Sequence, residues 1–118
     1  PWLSAKNATR RKLIRAIVEG RRQGGGCAAG ALGGVIFNDG EVLPCEMLER
    51  SFGNLRDHDY NLGQIWNSSR AVETRHWIQD TRCQCTQECF LSISMMIQPG
   101  CWPDIVGERI ALLKRGQR

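Results

Sequence analysis

Apolar positions Leu13, Ile14, Ile17 and Val18 recur at i, i+3 and i+4 spacing within residues 4–19, the signature of one buried helical stripe, and the opposite face is cationic. Ser4 or Asn7 is placed to cap this helix. Gly20 and the Gly24-Gly25-Gly26 run end it and form a joint just before Cys27.

The pattern changes period after the joint. Val35, Ile36 and Phe37 lead into Asn38-Asp39-Gly40, and Glu41, Val42, Leu43 and Pro44 follow, which predicts a β-hairpin over residues 34–45. Glycine at the turn accepts a positive φ without a Cβ clash. Gly53 and Asn54 then fall in a predicted loop. Beyond it, Asn61 or Asp59 can cap a short helix carrying Leu62, Ile65 and Trp66, and Ser68 or Ser69 can start another that runs through Val72 and Ile78 to Asp80. No element is predicted for the cysteine-bearing segment that follows. A Pro99-Gly100 turn precedes Cys101, and Ile105–Leu113 reads as a last short helix.

At 118 residues the chain suits one domain with a modest core. No apolar run is long enough for a membrane span, and the first thirty positions lack the order of a secretory signal, so a cytoplasmic protein without membrane contact is expected. The chain opens on Pro1, without an initiator methionine, and is expected to be a piece of a longer protein. Net charge is +4, but its distribution matters more than its sum. Lys6, Arg10, Arg11, Lys12, Arg15, Arg21 and Arg22 face only Glu19 in the first 23 residues, whereas acids outnumber bases between residues 24 and 100. The cationic face carries no aromatic side chain. It therefore reads as the solvated side of a packed helix, and no nucleic-acid partner is expected.

Six cysteines stand at 27, 45, 83, 85, 89 and 101. Disulfides are the weakest explanation, since no secretory signal accompanies them and Cys83 and Cys85 are too close for an easy mutual bridge. A soft metal centre fits better, because thiolates from a hairpin and from a distant cluster can converge on one centre whose binding helps fold the domain. Zinc sites usually draw on C-x2-C knuckles or Cys/His pairs, and neither occurs here. His58 and His76 lie at no ligand spacing from a cysteine and read as packing or surface residues. Trp66 and Trp77 read as core fillers.

The first pair has a distinctive context: Cys27, twelve residues, Gly40, four residues, Cys45. This C-x12-G-x4-C sits in a hairpin reading Gly-Val-Ile-Phe-Asn-Asp-Gly-Glu-Val-Leu-Pro-Cys-Glu. Phe52-Gly53-Asn54-Leu55, then Gln64-Ile65-Trp66-Asn67-Ser68, and then the closing cysteines follow it. In that order the chain resembles, over residues 27 to 101, the SPASM/twitch domain family, the auxiliary-cluster extension of radical S-adenosylmethionine enzymes.

The resemblance implies an α+β fold, a small hairpin and short helices around a cysteine-ligated iron-sulfur cluster. Residues 1–26 would be the final helix and glycine linker of a preceding radical S-adenosylmethionine barrel, 27–101 the cluster domain, and 102–118 a helical tail. Antiparallel pairing of the hairpin is expected to bring Cys27 and Cys45 to one end of the ribbon. Together with two of Cys83, Cys85 and Cys89 they are the expected ligands, and Cys101 is the weakest candidate.

The closing segment, C-x-C-x3-C, departs from the family's fuller C-x2-C-x5-C-x3-C. Two clusters at four thiolates each would exceed the six cysteines present. One auxiliary 4Fe-4S cluster is therefore expected. Cys85-x3-Cys89 is followed at position 92 by Ser, so the C-x3-C-x2-C that cleaves S-adenosylmethionine is missing. That cofactor and its own 4Fe-4S cluster would belong to the barrel, the implied partner, and the substrate would be a peptide or a small molecule. The alternative from another class is a non-enzymatic zinc-binding interaction module.

Overall fold

The computed structural model describes residues 2–21 and 26–116. In chain order the elements are α1 (Trp2–Val18), β1 (Val35–Ile36), β2 (Glu41–Leu43), β3 (Gly53–Asn54), a 3-10 turn (Leu55–His58), α2 (Leu62–Trp66), α3 (Ser69–Asp80), α4 (Glu88–Ile97), a second 3-10 turn (Pro99–Cys101) and α5 (Trp102–Arg115). The fold is α+β, as expected. It divides into two compact units, one of residues up to Gly26 together with those from Gln84 onward, the other Cys27–Cys83. Of the expected glycine joint, Gly24 and Gly25 lie outside the described residues.

The Cys27–Cys83 unit is built on the hairpin. Val35 pairs with Leu43 and Ile36 with Val42, antiparallel. Phe37 does not extend β1; it opens the turn, accepting from the Gly40 N–H at 2.9 Å while its own N–H donates to the Glu41 carbonyl at 2.9 Å. Gly40, at φ +92°, completes a three-residue loop of the type-I-plus-bulge kind. The residues expected as loop at 53 and 54 instead add a third strand: Glu41 pairs with Asn54 and Val42 with Gly53. Behind the sheet, Val42, Phe52, Ile65 and Ala71 form the core, with Leu55 and Trp66 against it. Phe52 meets Trp66 edge to face at 5.5 Å between centroids. Trp66 thus fills the core edge as its sequence context predicts.

Of the two candidate caps for α2, Asn61 serves, its Oδ1 accepting from the Gln64 N–H at 3.1 Å. Ser68 caps α3 by accepting from the Ala71 N–H at 3.3 Å. The buried positions of α3 are Ala71, Thr74 and Ile78, while Val72 faces out.

In the other unit, α1 packs on α5 and on α4. The helix starts at Trp2, ahead of both expected caps, with the Arg109 guanidinium 3.9 Å above the Trp2 ring. Its buried positions are Ala5, Thr9 and Ala16. Leu13, Ile14 and Ile17 are half-buried, and Val18 is 73 % exposed. The contact stripe therefore lies beside the one that hydropathy predicts, because small side chains let a neighbouring helix approach closely. Gly20 ends α1 with paired bonds, its own N–H to the Ile17 carbonyl and that of Arg21 to the Ala16 carbonyl. Arg10 pairs with Glu88 and Lys12 with Glu108, so part of the cationic face is matched within its own unit.

Helix α4 has no counterpart among the predicted elements. Phe90, Leu91, Ser94 and Met95 form its buried face, an i, i+1, i+4, i+5 pattern that the surrounding cysteines obscure. Helix α5 is longer at both ends than the predicted Ile105–Leu113 segment, starting with Pro103 in its first turn, where the missing N–H costs nothing. No described helix is long and apolar enough to cross a membrane.

Candidate metal centre

Cys27, Cys45 and Cys83 belong to one compact unit, and Cys85, Cys89 and Cys101 to the other. Among the described residues, no three His, Cys, Asp or Glu side chains are drawn into a metal-holding group.

Cys27 opens a tight loop in which Ala28, Ala29 and Gly30 are all buried. The loop closes on itself. The Ala31 and Leu32 N–H groups donate to the Ala28 carbonyl at 3.2 and 3.0 Å, and the Gly30 N–H donates to the Gly33 carbonyl at 2.7 Å. At its start, the Ala29 N–H points at Cys27 Sγ, 3.4 Å away. Gly30 packs against Phe52 and Pro44, which ties the loop to the end of β2.

Cys45 follows Pro44 directly and is 6 % exposed. The segment beyond it reaches Arg50, whose guanidinium lies 4.3 Å over the Trp77 ring of α3. Trp77 is half-buried and serves as this stacking platform rather than as a full core residue. Cys83 leaves the end of α3 after Arg82, which takes a left-handed φ of +48°, and its N–H closes back on the Ile78 carbonyl at 3.0 Å.

A third tie runs from α3 to the Cys27 loop. The Arg75 guanidinium donates to the Gly30 carbonyl at 3.0 Å and to the Trp66 carbonyl at 2.7 Å. All three cysteine-bearing arms of this unit are therefore fastened to one helix. Neither Arg75 nor the Arg50–Trp77 contact stands out in the sequence. The available signal is the position of Arg75 beside the Ala71, Thr74, Ile78 stripe, where a long cation can reach across a buried surface.

In the second unit Cys85 is half-buried in the irregular segment before α4, and Cys89 is exposed in the first turn of α4. Cys101 ends the second 3-10 turn and lines a cavity of about 750 Å³ with Lys12, Arg15, Arg21, Asp104 and Glu108. Desolvation, and then the Asp104 carboxylate, raises the Cys101 thiol above its ordinary value. His58 lies beside Gly53, and His76 is exposed.

The donor chemistry suits an iron-sulfur cluster. Thiols on separate arms of one braced unit are soft donors of the kind such a cluster takes, and a backbone N–H faces one of the sulfurs. A family model for SPASM, an iron-sulfur cluster-binding domain, matches residues 27–90. No curated protein and no solved structure matches the chain at a significant level.

Proposed function

Because the chain belongs to the SPASM family of iron-sulfur cluster-binding domains, we propose that it is the auxiliary-cluster module of a radical S-adenosylmethionine enzyme whose catalytic barrel precedes it in the intact protein. The observation that carries this reading is the bracing of the Cys27, Cys45 and Cys83 arms on α3. Those three thiols are the assigned ligands, all from the hairpin unit. Cys101 is left out, because it lies beyond residues 27–90 that the family model matches.

When bound, one 4Fe-4S cluster supplies one-electron chemistry or a direct hold on a substrate during radical modification of a peptide or small molecule. The chain's own residues do the rest. Buried Cys45 shields one ligand from water, which acts on the potential of the centre. The Ala29 N–H solvates the Cys27 sulfur without the reorganisation that water would require. Cysteines that serve as cluster ligands need a reducing compartment, and the proposal places the protein in the cytoplasm on that ground.

The test is anaerobic reconstitution of the full chain, followed by iron and sulfide counts with optical and paramagnetic spectra. About four irons and four sulfides per chain support a single cluster. Stoichiometric zinc with no sulfide would overturn the reading in favour of a non-enzymatic zinc module.

A further inference from the structure

The bonds around Arg75 form a chain that ends on a sulfur atom. Its guanidinium donates to the Gly30 carbonyl. The same peptide group presents the Ala31 N–H, which donates to the Ala28 carbonyl. That carbonyl in turn shares a peptide group with the Ala29 N–H, which donates to Cys27 Sγ. Two planar amides thus lie head to tail between a permanent positive charge and a thiol.

Each bond in such a chain polarises the next, and a cation at the head drives the polarisation toward the far end. Of the four residues that form it, Ala28, Ala29 and Gly30 are buried and Ala31 is exposed, so the end of the relay nearest the sulfur is the part screened from water. Arg75 is fixed in turn by its second bond, to the Trp66 carbonyl, and by the faces of Phe52 and Trp66 at 5.9 and 5.8 Å. A lysine would keep the charge but not the two-pronged donor geometry.

We propose that Arg75 is a positioning residue for Cys27: through the Gly30–Ala31 and Ala28–Ala29 amides it aims and strengthens the N–H bond to the Cys27 sulfur, and so tunes the iron-sulfur centre which that sulfur holds. The tuning part rests on the assignment of Cys27 as a ligand made above. The positioning part does not. A hydrogen bond to a ligating sulfur favours the more reduced, more negative state, so this arrangement holds the midpoint potential up.

The experiment compares Arg75→Met, Arg75→Lys and, as a control on the same helix, Arg70→Met in the full chain. Without metal, amide exchange at Ala29 and Ala31 is expected to rise about tenfold in Arg75→Met, by less in Arg75→Lys, and not at all in Arg70→Met. After reconstitution, the midpoint potential is expected to fall in Arg75→Met and to fall partway in Arg75→Lys, although the lysine retains the charge. Unchanged exchange at Ala29 in both Arg75 variants would overturn the proposal. So would a wild-type potential in Arg75→Lys, since charge alone would then account for Arg75→Met. Should Arg75→Met not fold, Arg75→Lys decides by the same two readouts. If the wild-type chain takes up no iron-sulfur cluster, the functional reading falls while the exchange data still decide the role of Arg75.

Discussion

Asn54 stands so close to Gly40 that a Cβ on the glycine would lie 2.7 Å from Asn54 Oδ1. The same asparagine donates from Nδ2 to the Asp39 carbonyl and to Glu41 Oε2, both at 3.2 Å, and its Oδ1 accepts from the Arg56 N–H at 3.0 Å. One side chain thus joins the hairpin tip to the third strand and caps the turn after it. The glycine of the C-x12-G-x4-C signature therefore answers to two demands, a positive φ and room for Asn54.

Gly40→Ala is expected to destabilise the chain by about 1–3 kcal/mol, from the left-handed φ and the clash together. Asn54→Ala should cost about 1–2 kcal/mol through the lost cap and tip bonds. Because both changes break one contact, the double variant should lose less than the sum. Urea midpoints of the four proteins check this; strict additivity would show that the two residues act independently.

Gly34 and Gly107 give opposite expectations for the same substitution. A Cβ at Gly34 would lie 2.7 Å from the Leu43 carbonyl oxygen and 2.9 Å from Trp66 Cζ3, so Gly34→Ala should lower stability by about 1–3 kcal/mol. Gly107 lies within α5 with nothing inside 4 Å of such a Cβ, and Gly107→Ala should raise helix stability by about 0.5–1 kcal/mol. Thermal unfolding of each variant reads the sign directly.

Alanine replacements of the cysteines separate ligands from bystanders. Loss of Cys27, Cys45 or Cys83 should abolish iron and sulfide retention after reconstitution, whereas Cys101→Ala should keep both. Retention by Cys83→Ala together with loss in both Cys85→Ala and Cys89→Ala would move the third ligand out of the hairpin unit.

Cys101 also carries a pH expectation for the metal-free chain. Its folded thiol is raised above the ordinary 9.0, so the folded state holds its proton more tightly than the unfolded state does. The contribution to stability is fully present below about the ordinary thiol value and is lost as pH rises through the raised one. Denaturation midpoints measured from neutral to alkaline pH should fall more steeply in the wild-type chain than in Cys101→Ala. Equal slopes would show that burial and Asp104 do not act on this thiol.

Much of the hairpin unit is legible residue by residue, because its signals are local. Asp39-Gly40 specifies a turn through glycine's access to positive φ, and Asn61 and Ser68 mark helix starts because their side-chain oxygens can satisfy open N–H groups. What escapes is whatever depends on a partner far along the chain. Gly53 and Asn54 have poor strand propensity and become β3 only because Glu41 and Val42 offer an edge to pair with. Helix α4 hides among cysteines that invite a ligand reading rather than a periodicity count. In α1 the packed positions are Ala5, Thr9 and Ala16, since close approach of a neighbouring helix selects small residues over hydropathic ones.

The sequence by itself determined the family and the α+β class, both of which follow from residue type and spacing along the chain. Only the tertiary structure decided that Cys27, Cys45 and Cys83 share one unit and that Arg75 and Trp77 of α3 brace the arms of the first two. Arg75 and Gly30 are 45 positions apart, and no local propensity encodes which carbonyl a guanidinium will meet. That choice is made when the core of Val42, Phe52, Ile65 and Ala71 closes and leaves the Gly30 carbonyl where a planar fork of donors can reach it.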